Sequence, residues 1–250
     1  MNDVRLELSH IRKQFDDLAV LDGVSLRVRR GEFISILGPS GAGKSTLFRL
    51  LTGGLQPDGG TMRFDGAPLG DISPFAFMPQ RDALMPWRRI IDNATLGLEV
   101  QGISRSAARA KVAPLFAEFG LDGFEQHYPA QLSGGMRQRA ALLRTVVQDR
   151  SVLLLDEPFG ALDALTRTGM QHWLMTMWAR HHWTALLITH DVREAVFLSD
   201  RIYVLTARPA RVTHEFVLPM PRSERHPAST GTSRIEAEIL DSLLSQQTDR

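Results

Sequence analysis

The 250-residue chain carries 29 Lys and Arg against 28 Asp and Glu, a formal net charge of +1, and no cysteine. With 43% apolar and 23% charged residues it has the composition of an ordinary globular protein, which excludes disorder and collagen-like repeats for the chain as a whole. The charge balance argues against nucleic acid as the main partner, and the missing cysteines exclude disulfide frameworks, thiolate metal sites and cysteine nucleophiles.

From Val4 to Phe64 the chain reads as several β-branched or alternating segments around one glycine-rich turn. Phe33 to Leu37 is a short apolar run, the signature of a buried strand, and Val152 to Leu155 and Ala185 to Ile188 repeat it. None approaches the ~20 apolar residues of a membrane span, and the N-terminal decapeptide is too charged for a signal peptide. Between Trp87 and Arg150 the texture turns helical. Val112, Leu115, Phe116 and Phe119 form one apolar face of a helix over 104–119, with Pro114 inside it as an expected kink. Another helix starts near Ser133 and runs to about Gln148. Met170, Trp173, Leu174, Met177, Trp178 and His181 recur at helical spacing, which reads as core packing and not as a cofactor box. The stretch from Pro219 to Ser233 reads as a linker. Beyond it, Ser233 and Glu236 stand in capping-box register, and Ile235, Ile239, Leu240, Leu243 and Leu244 form the apolar face of a docked C-terminal helix. Strands alternating with helices point to an α/β protein with a largely parallel sheet, into which a helical block is inserted.

The segment Gly38, Pro39, Ser40, Gly41, Ala42, Gly43, Lys44, Ser45, Thr46 matches the phosphate-loop pattern, with a strand before it and a helical stretch, 45–52, after it. Glycines let backbone N–H groups curl around phosphate oxygens, and the helix N-terminus adds its positive end. Lys44, one of three lysines in the chain beside Lys13 and Lys111, would reach the β- and γ-phosphates, and the Ser45 hydroxyl would ligate Mg²⁺. The second apolar strand ends in Asp156 and Glu157. The aspartate would hold Mg²⁺ and the glutamate would polarise the attacking water. An exposed acidic strand end is common by itself; beside a phosphate loop it gains meaning. Leu132, Ser133, Gly134, Gly135 and Met136 place an open hydroxyl and bare backbone at a helix start, a second anion-binding terminus. Taken alone, a Ser-Gly-Gly turn would read as merely flexible.

In this order, these motifs resemble the ATP-binding-cassette family over about 4–217. The resemblance implies a P-loop NTPase (RecA-like) core with a parallel sheet, an N-terminal antiparallel β region and an inserted α-helical subdomain. It places the core at about 1–86 and 150–220, the insert at about 87–149, and a linker and amphipathic helix at 221–250. It also implies roles for residues that spacing does not single out. Phe15 would stack on adenine, and Gln80 would contact Mg²⁺ and the attacking water. Asp163 would form the D-loop, and His190 would contact the γ-phosphate. Leu132 to Met136 would complete the site of a second copy, so that two ATP molecules are sandwiched in a homodimer. Met85-Pro86-Trp87, 159–164 and 208–211 are similar to ATPases of nitrate, sulfonate, taurine or pyrimidine importers. The expectation is therefore an ATPase on the cytoplasmic face of the cell membrane, peripheral, docked near Gln80 and the helical insert on permease subunits that are served by a solute-binding protein. Trp87 would lie in that docking surface, with burial under the insert as the competing account. The rivals are an exporter subunit, a soluble ABC ATPase without a transport role, and a nucleotide-gated regulatory module.

Overall fold

The computed structural model describes residues 3–70, 73–222, 225 and 230–248. In chain order its elements are β1 (Val4–Phe15), β2 (Leu18–Arg29), β3 (Phe33–Leu37), α1 (Lys44–Leu51), β4 (Gly59–Phe64), β5 (Ala67–Pro68) and β6 (Phe75–Met78). The helical stretch follows as α2 (Ile90–Ala94), α3 (Leu96–Val100), α4 (Arg105–Val112), α5 (Leu115–Glu118), a 3-10 turn (Pro129–Gln131) and α6 (Gly134–Val146). The chain continues through β7 (Val152–Asp156), α7 (Ala164–His181), β8 (Thr184–Ile188), α8 (Val192–Leu198), β9 (Arg201–Leu205), β10 (Val212–Val217) and α9 (Thr230–Thr248). It divides into two compact units, Met1–Phe75 with Trp178–Arg250, and Ala76–Met177.

The first unit contains an antiparallel sheet in the order β2-β1-β4-β5. Val24, Leu26 and Val28 of β2 are buried while Ser25, Arg27 and Arg29 are exposed, the period of two expected of a strand with one wet face. A second set of strands runs β10-β9-β3-β8, with β9, β3 and β8 parallel and β10 antiparallel at its end. Every residue of β3 and of β8 is buried, which suits parallel strands covered on both faces.

The C-terminal helix docks, but on a narrower stripe than its sequence suggests. Ile235, Ile239 and Leu243 pack with Val192, Ala195 and Val196 of α8 and with Leu218, whereas Leu240 and Leu244 remain 46% and 58% exposed. The helix also begins at Thr230, one turn before Ser233, so Ser233 is not its cap. The preceding segment, expected to be a linker, is fastened. The Arg222 guanidinium lies 3.4 Å from the centre of the Trp178 ring and donates to Asp200. Burial pulls Arg222 down to about 10, which leaves it charged at neutral pH. Arg225 donates to the carbonyls of Met220, Val196 and Ser199. Residues 223–224 and 226–229 of that segment lie outside the described residues.

In the second unit β6 and β7 are neighbours. The helix expected over 104–119 breaks into α4 and α5 at Ala113 and Pro114, where proline has no N–H to give. Val112, Phe116 and Phe119 nevertheless stay buried on one side. The buried Asp92 carboxylate holds α2 to α4 by ion pairs to Arg105 (2.7 Å) and Arg109 (2.6 Å). Along α7, Met170, Leu174 and Met177 are buried and Trp173 meets Phe119 edge to face, as core packing requires. His181, at the end of the same spacing, is exposed.

Candidate active site

The phosphate loop leaves β3 and enters α1 at Gly43, which caps the helix at φ 106°. A Cβ on Gly43 would stand 2.8 Å from Val20 Cγ1 and 3.0 Å from Leu21 Cδ2, so this position excludes any side chain by both backbone and space. Gly41 also has positive φ, 77°. Lys44 is only 6% exposed, and its Nζ turns back to donate to the carbonyls of Gly38 (2.8 Å) and Pro39 (3.0 Å). An ammonium is thereby fixed inside the curl of the loop. Gly38 and Ala42 are buried, Pro39, Gly43 and Thr46 half-buried, and Ser40, Gly41 and Ser45 exposed on the first turn and the loop before it.

Two further residues of the first unit were expected at the site. Phe15, 36% exposed, ends β1 with one face toward Lys13 Nζ, 5.5 Å from the ring centre. Lys13 is itself paired with Asp58 at 2.7 Å, which draws the Asp58 carboxyl below its ordinary range. His190 is exposed two residues beyond the end of β8, and the next residue, Asp191, caps α8 by accepting from the N–H groups of Arg193 and Glu194.

In the second unit, Asp156 closes β7 and is buried. Glu157 follows at φ 43°, a left-handed conformation that a glutamate adopts at a cost of about 1 kcal/mol or more. Its Oε2 accepts from Gln80 Nε2 at 2.9 Å. With the amide nitrogen so engaged, the Gln80 carbonyl oxygen is the atom left for a cation. Leu132 is buried, and Ser133 caps α6, its hydroxyl accepting from the N–H of Met136 at 3.3 Å. A Cβ on Gly134 would meet Leu162 at 3.2 Å and one on Gly135 would meet Thr166 at 3.1 Å, so the two glycines let this helix start lie directly on the segment around Asp163. Asp163 accepts from the N–H of Thr166 at 3.0 Å, capping the first turn of α7, and that bond keeps its carboxyl low.

Sequence reasoning missed the side chains that tie these pieces together. Buried Gln138 on α6 donates to the Pro158 carbonyl, next to Glu157. Arg137 pairs with Asp82 and donates to the Leu132 carbonyl. Arg144 donates to the carbonyls of Asp82 and Ala83 at 2.6 Å each. Asn93, fully buried, accepts from the N–H of Met85 and donates to the Met85 and Arg88 carbonyls, which fixes the turn bearing Trp87. Trp87 is 74% exposed, which rules out burial under the insert. The helix that starts at Ser133, the segment after Gln80 and the loop at Glu157 are thus one hydrogen-bonded block.

A buried strand, a glycine loop closed on a lysine and a helix opening at that loop, with a second buried strand ending in Asp156 and Glu157, define a phosphate-loop nucleoside triphosphatase. The sequence profile of the family described as "ABC transporter" matches residues 21–160. The chain belongs to that family, as one of its ATPases. It is 46% identical over 200 residues to the formylaminopyrimidine import ATP-binding protein ThiZ of Halalkalibacterium halodurans, covering 80% of this chain and 78% of that one. It is 41% identical over 245 residues to the aliphatic sulfonates import ATP-binding protein SsuB of Ralstonia nicotianae, covering 98% and 83%. Among solved structures, the dimeric bacterial ABC transporter cassette MJ0796 superposes with a TM-score of 0.73 at 28% identity, over 86% of this chain and 100% of that one.

Proposed function

We propose that this chain energises uptake of a small solute of the sulfonate, taurine, nitrate or pyrimidine type through a separate permease, working as a pair of copies on the cytoplasmic face of the membrane. The import proteins to which it is similar support the solute class and the permease, and a solute-binding protein would deliver the cargo. The dimeric cassette supports the pair. Among the described residues no helix is long and apolar enough to cross a membrane.

In this reading Lys44 and the backbone of Gly38 to Thr46 bind the phosphates, and Phe15 stacks on the adenine. Ser45, Asp156 and Gln80 offer a hydroxyl, a carboxylate and an amide oxygen, a hard-oxygen set that fits Mg²⁺. Bound there, Mg²⁺ would neutralise phosphate charge. Glu157 takes a proton from water as the water oxygen bonds to the γ-phosphorus; the bond to the bridging oxygen breaks, leaving ADP and phosphate. His190 contacts the γ-phosphate. Leu132 to Met136 serves the partner copy's nucleotide, with Asp163 at the junction of the two copies.

The observation that carries transport coupling is the Gln80–Glu157 hydrogen bond. It joins the hydrolytic carboxylate to the segment that ends in exposed Trp87, a large apolar side chain suited to receive a permease helix. Trp87→Ala should leave the ATPase of the isolated subunit unchanged, yet in membranes weaken permease capture and abolish uptake. Loss of ATPase or of the melting transition in the isolated variant contradicts the docking assignment.

A further inference from the structure

The turn that joins β9 to β10 lies on the phosphate loop. Nη2 of Arg208 stands 3.0 Å from where a Cβ on Gly41 would be, so the guanidinium rests against the loop's own backbone. Arg208 is exposed, and no hydrogen bond or ion pair to it occurs among the described residues. Its neighbour Arg211 differs: both Nε and Nη2 donate to Asp22.

This turn is built rigidly and from the same strand that shapes the loop. Ala210 N–H donates to the Val20 carbonyl and Asp22 N–H to the Ala210 carbonyl, each at 2.9 Å. The Thr206 hydroxyl donates to the Pro209 carbonyl at 3.1 Å and accepts from the Arg211 N–H at 2.9 Å. Val20 and Leu21 are also the side chains that pack on Gly43. Strand β2 therefore fixes the arginine turn and the phosphate loop in one frame, and the ion pair of Arg211 with Asp22 helps to hold the turn there.

We propose that Arg208 is a second cation of the nucleotide site, a binding residue that contacts the phosphate chain of the nucleotide held by the loop. Lys44 brings one positive charge, while a nucleoside di- or triphosphate brings several negative ones. An arginine with its fork unengaged, carried on a fastened turn beside the loop, supplies planar donors that match phosphate oxygens. The proposal rests on the phosphate-loop reading of Gly38 to Thr46.

ADP is the direct probe, because it binds without turnover. In calorimetric titrations of the full chain, Arg208→Ala should raise the ADP Kd about fivefold to tenfold, the size of one partly exposed charged contact. Arg208→Lys, which keeps the charge but loses the fork, should fall between the two. Added salt should weaken ADP binding less steeply in the alanine variant than in the wild type. The melting temperature should not change, since Arg208 holds nothing in the fold. Lys44→Ala separates the two levels of the argument. Retained ADP affinity in Lys44→Ala overturns the phosphate-loop reading itself. Lost affinity there, with an unchanged Kd in Arg208→Ala, leaves that reading intact and overturns the role of Arg208.

Discussion

Gly43 is the position where backbone geometry and packing act together, and Gly43→Ala separates them when set against a second glycine. At φ 106° any L-residue is strained, at about 1–2 kcal/mol. The new methyl would also stand 2.8 Å from Val20 Cγ1, 3.0 Å from Leu21 Cδ2 and 3.3 Å from the Val20 carbonyl. Val20 and Leu21 are both buried and cannot swing into solvent, so overpacking adds roughly 1–2 kcal/mol. The sum of about 2–4 kcal/mol corresponds to a melting temperature lower by roughly 5–15 °C in a chain of this size. Gly53 supplies the comparison: φ is 78°, and a Cβ placed there would have nothing within 4 Å. Gly53→Ala should therefore cost only the backbone part, about 1 kcal/mol. Urea denaturation of both variants gives the difference, and ADP titration should show weakened binding for Gly43→Ala alone, because the loop shifts to relieve the contact. Equal stability of the two variants refutes the claim that β2 and the phosphate loop are packed as one piece.

Asp92 is buried, which alone would raise its carboxyl, but the hydrogen bonds from Arg105 and Arg109 outweigh burial and hold it low. Its contribution to stability is thus complete above the unfolded value near pH ~4 and is lost as pH falls through the lowered folded value. Asp92→Asn should be less stable at pH 7 by roughly 1–2 kcal/mol and lose less on acidification; parallel acid-denaturation curves for variant and wild type contradict this. Ile239→Ala should loosen α9 from α8 at a cost of about 2–4 kcal/mol, so that limited proteolysis clips the tail while the remaining core persists. Unchanged protection of the tail argues against its docked position.

What could be read from the sequence was what depends on neighbours along the chain. The phosphate loop, the strand ending at Asp156 and the helix opening at Ser133 each declare themselves within about a dozen residues, because glycine, caps and apolar runs are local signals. Strand β6 is not legible in the sequence, since Phe75 to Met78 is four residues long and has no alternation to mark it. Gln80, Phe15, Asp163 and His190 were reached only through family resemblance; no spacing distinguishes them. The contacts that join the second unit's parts were invisible for a different reason. Gln138 reaches a carbonyl 20 residues away and Arg144 one 62 residues away, and a polar residue on a helix gives no sign of which distant backbone it will satisfy. The tail shows the converse: Leu240 and Leu244 fit the helical period, yet only Ile235, Ile239 and Leu243 meet the cluster at α8, and the two leucines stay exposed.

We propose that this ATPase hydrolyses at Glu157, in a site completed by Leu132 to Met136 of a second copy. Glu157→Gln keeps the size of the side chain and removes the base, so ATP should bind and not turn over. In size-exclusion chromatography with light scattering, at saturating ATP and Mg²⁺, this variant should elute as a dimer and return to monomer when ADP replaces ATP. A variant that remains monomeric with ATP bound, or one that hydrolyses ATP at the wild-type rate, contradicts it.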